Sequence, residues 1–222
     1  MIHTVNQTTK KRASVRALPG PRDEAKAVFR RAILTAAADV FVEQGFHAAR
    51  IQDIAVRARI GVGTVYNHFE QKEDVLQALL EEHRAAMIDR FAARPGDAED
   101  FATSLTQRLS RTLAYKDEHR AFFVLVMDYG LMGPTTAAAA MVLKGRKLRA
   151  DGMQRAGSAL FAEAQRRGDL RSDFDAMHLL RILGGIIRAF AADTIAEGAT
   201  FASRAGEIVD VFLGGARKAK RK

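Results

Sequence analysis

The side chains best suited to chemistry gather between positions 50 and 72. Thr64, Tyr66, His68 and Lys72 supply a hydroxyl, a phenol, an imidazole and an ammonium in one short stretch. Groups of this kind hold phosphate oxygens by hydrogen bonds and charge, and such contacts fix the register of a protein on a nucleic acid. Val62, Gly63, Thr64, Asn67 and His68 form the outward face of the same stretch, while Ile60, Val65 and Phe69 face inward. A face so rich in small and polar groups packs poorly, and it suits close approach to another surface.

Other chemistries find less support. There is no cysteine, which removes disulfides, thiolate catalysis and cysteine zinc sites. The six histidines (His3, His47, His68, His83, His119 and His178) include no pair three or four apart, so no metal site is expected. No G-x-S-x-G, P-loop or dinucleotide fingerprint occurs. Asp173 with Asp175, and Glu81 with Glu82, read as caps or solvated charges. No catalytic residue and no cofactor is expected, and an enzyme is disfavoured.

The elements that must position the 50–72 stretch are helical. Pro21, Asp23 and Glu24 open a helix over about 23–44, where early acids suit the helix dipole. Gly45 is its stop. Ile51, Ile54, Ala55 and Ala58 recur at i, i+3, i+4 and i+7 and define a short second helix. A third runs from about Gly61 to Asn67 and a fourth from Gln71 to about Arg90. Arg94-Pro95-Gly96-Asp97 is a break. Helices are then expected at about 98–115, 118–131, 135–167, 173–197 and 200–215, the penultimate one capped by Ser172 with Asp175. The fold class is all-α, with about nine helices and no strand pattern.

The last two of these helices carry the strongest packing signal. From Met177 to Ala192 apolar or small residues occupy every face, and a helix apolar all round must be covered all round. This predicts a homodimer interface from Met177, Leu180, Gly184, Ile187 and Phe190, joined by the stripe Phe201, Ala205, Ile208 and Phe212. Phe122, Phe123, Val126 and Met127 lie in an apolar run. With Leu105, Tyr129, Met141 and Phe161 they are candidates to line a ligand cavity, anchored by His178 and Arg181; plain core is the competing reading.

At 222 residues the chain can bury a proper core, and its 48% hydrophobic and 27% charged content is ordinary for a soluble protein. The net charge of +9 is held by two tails. Lys10, Lys11, Arg12, Arg16 and Arg22 give +5 before residue 23, and Arg217, Lys218, Lys220, Arg221 and Lys222 give +5 at the other end, leaving −1 for the body. The tails suit solubility or non-specific attraction to phosphates. No signal peptide or membrane span is visible, and a cytoplasmic location is expected.

Two helices joined by a short turn and braced by a preceding helix fit the major groove of DNA. Residues from about Arg30 to Leu76 resemble the DNA-binding domain of the TetR/AcrR family of transcriptional regulators. The matching residues are Ala37 to Phe41, Gln44-Gly45-Phe46, Asp53-Ile54-Ala55, Gly63-Thr64-Val65-Tyr66, His68-Phe69, Lys72-Glu73 and Val75-Leu76. The resemblance implies a helix-turn-helix at about 50–69 within a DNA-binding domain at 23–72, and a ligand-binding and dimerisation domain at 73–216. Basic tails at 1–22 and 217–222 flank them. It also implies that Thr64, Tyr66, His68 and Lys72 hold phosphates, with Arg50 and Gln52 on the same surface, and that Val62, Gly63 and Asn67 face base edges. The partners implied are a double-stranded operator, a second copy of the chain and a small-molecule effector, with no membrane. The chain departs from the family pattern at Ala49-Arg50, where a hydroxyl cap is usual, and at Arg59, where glycine is usual. A helical module binding a ligand or a protein without DNA is the alternative.

Overall fold

The computed structural model describes residues 20–93, 100–128 and 151–216, with side chains described from residue 155 in the last segment and to residue 215. Residues 1–19 of the tail expected at 1–22, the tail at 217–222, the pocket candidates Tyr129 and Met141, and the first part of the helix expected at 135–167 lie outside the described residues, and Pro21 and Arg22 belong to the first helix. Within them there are nine α-helices and no strand. They are α1 (Pro21–Gln44), α2 (Ile51–Ala58), α3 (Val62–Tyr66), α4 (Lys72–Ala92), α5 (Phe101–Glu118), α6 (Arg120–Asp128), α7 (Asp151–Arg167), α8 (Ala176–Ala196) and α9 (Ala205–Ala216). A 3-10 turn, Ala202–Arg204, leads into α9.

The helix ends follow local chemistry. Pro21 opens α1, and the Asp23 carboxylate accepts from the Gly20 N–H. Gly45 ends it at φ 78°, its N–H donating to the Phe41 carbonyl, and Phe46 turns back edge-on to Phe41. Asp100 caps α5, accepting from the Thr103 N–H and hydroxyl. The cap of α8 is Asp175, which accepts from the Met177 N–H at 3.2 Å. The helix thus starts three residues later than the Ser172 expectation: the carboxylate of Asp175 takes the cap that Ser172 was expected to provide.

Apolar side chains gather in two clusters. The first joins α1, α2 and α3 to the opening turns of α4, with Ile33, Val40, Phe41, Ile54, Val65, Phe69 and Leu76 at its centre. Phe122, Leu125 and Val126 of α6 complete it. This core therefore extends past residue 72 and includes a helix from the middle of the chain. The second cluster joins the end of α4 to α5, α7, α8 and α9, around Leu105, Phe161, Leu183, Ile208 and Phe212. Helix α4 runs through both, from Val75 in the first to Phe91 in the second. Its far end is held by Arg108 of α5, which donates to the carbonyls of Phe91, Ala92 and Ala93.

Several interface and pocket expectations need correction. Phe201, Ala205, Ile208 and Phe212 are buried in the chain's own second core. The stripe on α9 faces inward, because α5 and α8 pack on it. Leu180 is packed against Gly157 of α7, where an added Cβ would come within 2.6 Å of a Leu180 methyl. Met177, Gly184, Ile187 and Phe190 are half-buried. The outward faces are elsewhere: Ile182 is 46% exposed and Val211 56% exposed. Ala189, Ala192, Gly206 and Gly214 add small residues to them.

The described apolar pocket candidates are divided between the two cores. Phe122 and Val126 belong to the first core, Leu105 and Phe161 to the second, and Met127 packs at the second core's edge. His178 and Arg181 are exposed on α8, His178 lying 3.7 Å from the Asp175 carboxylate. They face outward because Ala176, Leu179 and Leu183 form the buried stripe of that helix.

Candidate nucleic-acid interface

The site is built from α2, the turn at Arg59 to Gly61, α3, and the loop leading to α4. Helix α2 lacks a capping hydroxyl, and its Arg50 N–H is instead taken by the Asp53 carboxylate at 3.0 Å. This is half of a capping box, assembled from the helix side alone. At its other end Arg59 sits at φ 57°, ψ 42°, the left-handed conformation, and is the one non-glycine with positive φ among the described residues. An L-residue held there costs roughly 1–2 kcal/mol. The turn nevertheless closes, with the Ile60 N–H donating to the Ala55 carbonyl at 3.1 Å.

Helix α3 is fixed from below and open above. Val65 and Phe69 are buried in the first core, and Arg30 of α1 lies over the Phe69 ring, 5.0 Å from its centroid. Tyr66 is 49% exposed, Gly63 and Asn67 are exposed, and Thr64 and His68 are half-exposed. A Cβ added at Gly63 would meet nothing within 4 Å. Val62, expected to face outward, is half-buried against the first core. Arg50 and Gln52 are exposed on α2.

Burial, and then the charges of Lys26 and Arg30 on α1, push the His68 pKa below its ordinary value. Both causes favour the neutral imidazole, which has one ring N–H to donate. Lys26 and Arg30 place positive charge beside α3. Sequence reasoning did not include them; their spacing of four on α1, on the turn before the first buried residue, is the signal that was present.

Lys72 is differently placed from the other polar groups. Its ammonium donates to the carbonyls of Phe46, His47 and Ala49 at 2.9, 2.8 and 3.1 Å, and lies 4.9 Å from the centroid of the Phe46 ring. An ammonium has three protons. All three are engaged by the α1–α2 loop, so Lys72 ties the start of α4 to the entry of α2. A second tie joins α2 to α1: Arg57 donates to both carboxylate oxygens of Glu43 and lies 3.6 Å from Asp39. The hydrogen bond from Arg57 lowers the Glu43 pKa, and its counterpart raises that of Arg57.

Among the described residues no group of three or more His, Cys, Asp or Glu could hold a metal ion, and no helix is long and apolar enough to cross a membrane. The arrangement left is a short, rigidly seated helix with a polar, partly basic outer edge.

Comparison with known proteins agrees with this geometry. Residues 33–79 match the N-terminal domain of bacterial regulatory proteins of the tetR family. UidR of Escherichia coli K12, an HTH-type transcriptional regulator, is 27% identical over 177 residues, covering 78% of this chain and 87% of that protein. An HTH-type transcriptional repressor of Mycobacterium tuberculosis is 35% identical over 107 residues, 48% of this chain and 54% of that protein. The FadR transcriptional regulator of Bacillus subtilis, solved in complex with stearoyl-CoA, has the same fold. Its TM-score is 0.67 at 18% identity, over 83% of this chain and 98% of that one. With its exposed α3 edge and its braced α2, the chain carries over residues 33–79 the N-terminal DNA-binding domain of the tetR family of bacterial regulatory proteins, and it is similar to HTH-type transcriptional regulators.

Proposed function

We propose that the protein is a homodimeric repressor that binds a palindromic operator through α3 and is released from it by a small apolar or amphipathic ligand. The observation that carries this reading is the edge Gly63, Thr64, Tyr66, Asn67 and His68, left open on a helix whose other side is locked by Val65 and Phe69. Thr64, Tyr66 and His68 hold phosphates, together with Arg50 and Gln52 on α2 and Lys26 and Arg30 on α1. Gly63 allows the backbone to approach the groove, and Asn67 meets a base edge or a phosphate. Val62 offers a base only the part of its side chain left uncovered. Lys72 serves by bracing.

Dimerisation uses the outward faces of α8 and α9, around Ile182, Ala189, Val211 and Gly214, with Met177 and Gly184 at the margin. Two copies then set their recognition helices roughly 34–36 Å apart, one turn of DNA. The ligand is held by the helices after α4, a reading supported by the stearoyl-CoA bound to the Bacillus subtilis neighbour. Because α4 runs through both cores and α6 is built into the first, a shift in the second core moves α2 and α3. Ligand and operator then favour different conformations and exclude each other.

The test uses DNA recovered by selection from a random pool. Tyr66→Ala weakens binding to that DNA at least tenfold while leaving the melting temperature within about 2 °C of wild type, since Tyr66 is half-exposed. Wild-type affinity in the variant would overturn the assignment of α3.

A further inference from the structure

Lys116 of α5 is only 7% exposed, yet among the described residues its ammonium has no acid and no hydrogen-bond acceptor. Its one specific contact is with the Phe123 ring, 5.7 Å from the centroid. Burial, and then the charge of Arg188 on α8, bring its pKa down to about 8, so it remains mostly charged at neutral pH. Arg188 likewise has no acid partner among the described residues. Its guanidinium lies along Gly184 and Gly185, 3.5 and 3.8 Å from where their Cβ atoms would be.

Among the described residues, then, neither cation has an anion to neutralise it. The acids next to Lys116 in the chain are committed elsewhere. Asp117 accepts from the N–H groups of Phe201 and Ala202 at 2.7 and 2.9 Å, and Glu118 lies 4.0 Å from Arg90. Residues 129–150 contain no Asp or Glu. A buried ammonium without compensation is unfavourable, and paired or hydrogen-bonded charges are the rule.

We propose that Lys116 and Arg188 together hold the acidic head group of an amphipathic organic anion whose apolar part lies against Phe123. The proposal rests on the reading that the helices after α4 hold the ligand, and it narrows that ligand from any small apolar or amphipathic molecule to an organic acid.

The test titrates the full-length protein, without DNA, by calorimetry at pH 7 with octanoate, octyl phosphate and 1-octanol. At least one of the two anions binds tenfold or more tighter than the alcohol; the preferred one distinguishes carboxylate from phosphate. Lys116→Met and Arg188→Gln each weaken that anion about tenfold and leave 1-octanol unchanged. Arg188 is exposed, so its variant folds and decides the matter if Lys116→Met does not. Equal binding of alcohol and anions, no binding of either anion, or wild-type anion affinity in Arg188→Gln would overturn the proposal. None of these results touches operator binding, which is measured separately.

Discussion

Lys72→Met separates two roles that one residue could play at this site. The ammonium makes three bonds to carbonyls, at 2.8 to 3.1 Å, across the α1–α2 loop. Hydrogen bonds to a charged group are worth ~1.5–3 kcal/mol each when a partner is left buried. Here the His47 carbonyl is exposed and water replaces part of the loss. The net expectation is about 2 kcal/mol of destabilisation, or roughly 4–8 °C in melting temperature for a chain of this size. Affinity for the selected operator falls as α2 loosens from α4. The salt dependence of that affinity stays as in wild type, because no phosphate contact is removed. Had Lys72 been a phosphate ligand, the slope of log K against log salt would shrink by about 0.9 per subunit, about 1.8 per dimer. Denaturant melts and binding isotherms at four salt concentrations read both quantities. A shrunken slope with unchanged stability would refute the bracing role.

Three further predictions follow from the same geometry. Arg59→Gly relieves the left-handed strain while Arg59→Ala keeps it, so the glycine variant is the more stable by about 1 kcal/mol; equal denaturant midpoints would show that the turn carries no strain. His83 is stacked on Phe122 and bonded through Nδ1 to the Tyr115 hydroxyl at 2.8 Å; burial, then the charge of His119, depresses its pKa to about 4. The unfolded chain protonates this histidine near pH 6.5 and the folded chain only near 4. Stability is therefore full above about pH 6.5 and is lost as pH falls towards 4, by about 1–2 kcal/mol between pH 7 and 5 after allowing for partial screening. His83→Gln removes that part of the acid sensitivity, and an unaltered stability–pH curve in the variant would contradict the assignment. Ile182→Glu, on the outward face of α8, converts the dimer to monomer in sedimentation while the monomer's helix content is retained; an unchanged dimer would place the interface elsewhere.

What the sequence disclosed depended on the range of the interaction. The α2 face at Ile51, Ile54, Ala55 and Ala58, and the stop at Gly45, are written in local spacing and glycine chemistry. At Arg59 the only signal was the family resemblance, in which glycine is usual at that position; the left-handed backbone itself is seen in the fold. Lys72 was not, because its carbonyl partners lie 23 to 26 residues away and only the fold brings them to it. The tie from Arg57 to Glu43 was hidden for the same reason. Amphipathicity shows that the stripe from Phe201 to Phe212 is covered, but not by what; α5 and α8 of the same chain cover it. The continuous apolar run at 122–127 was likewise split, with Phe122 and Val126 serving the first core and Met127 the second. Periodicity assigns a residue to a helix face and leaves open which of two cores that face meets.

In the proposed complex two copies of α3 read DNA in successive major grooves. Selection of bound sequences from a random pool by the full-length protein tests it most directly. The expected product is an inverted repeat whose half-sites are centred about one helical turn, or a whole multiple of it, apart. Recovery of no enriched sequence, or of a site without two-fold symmetry, would contradict it.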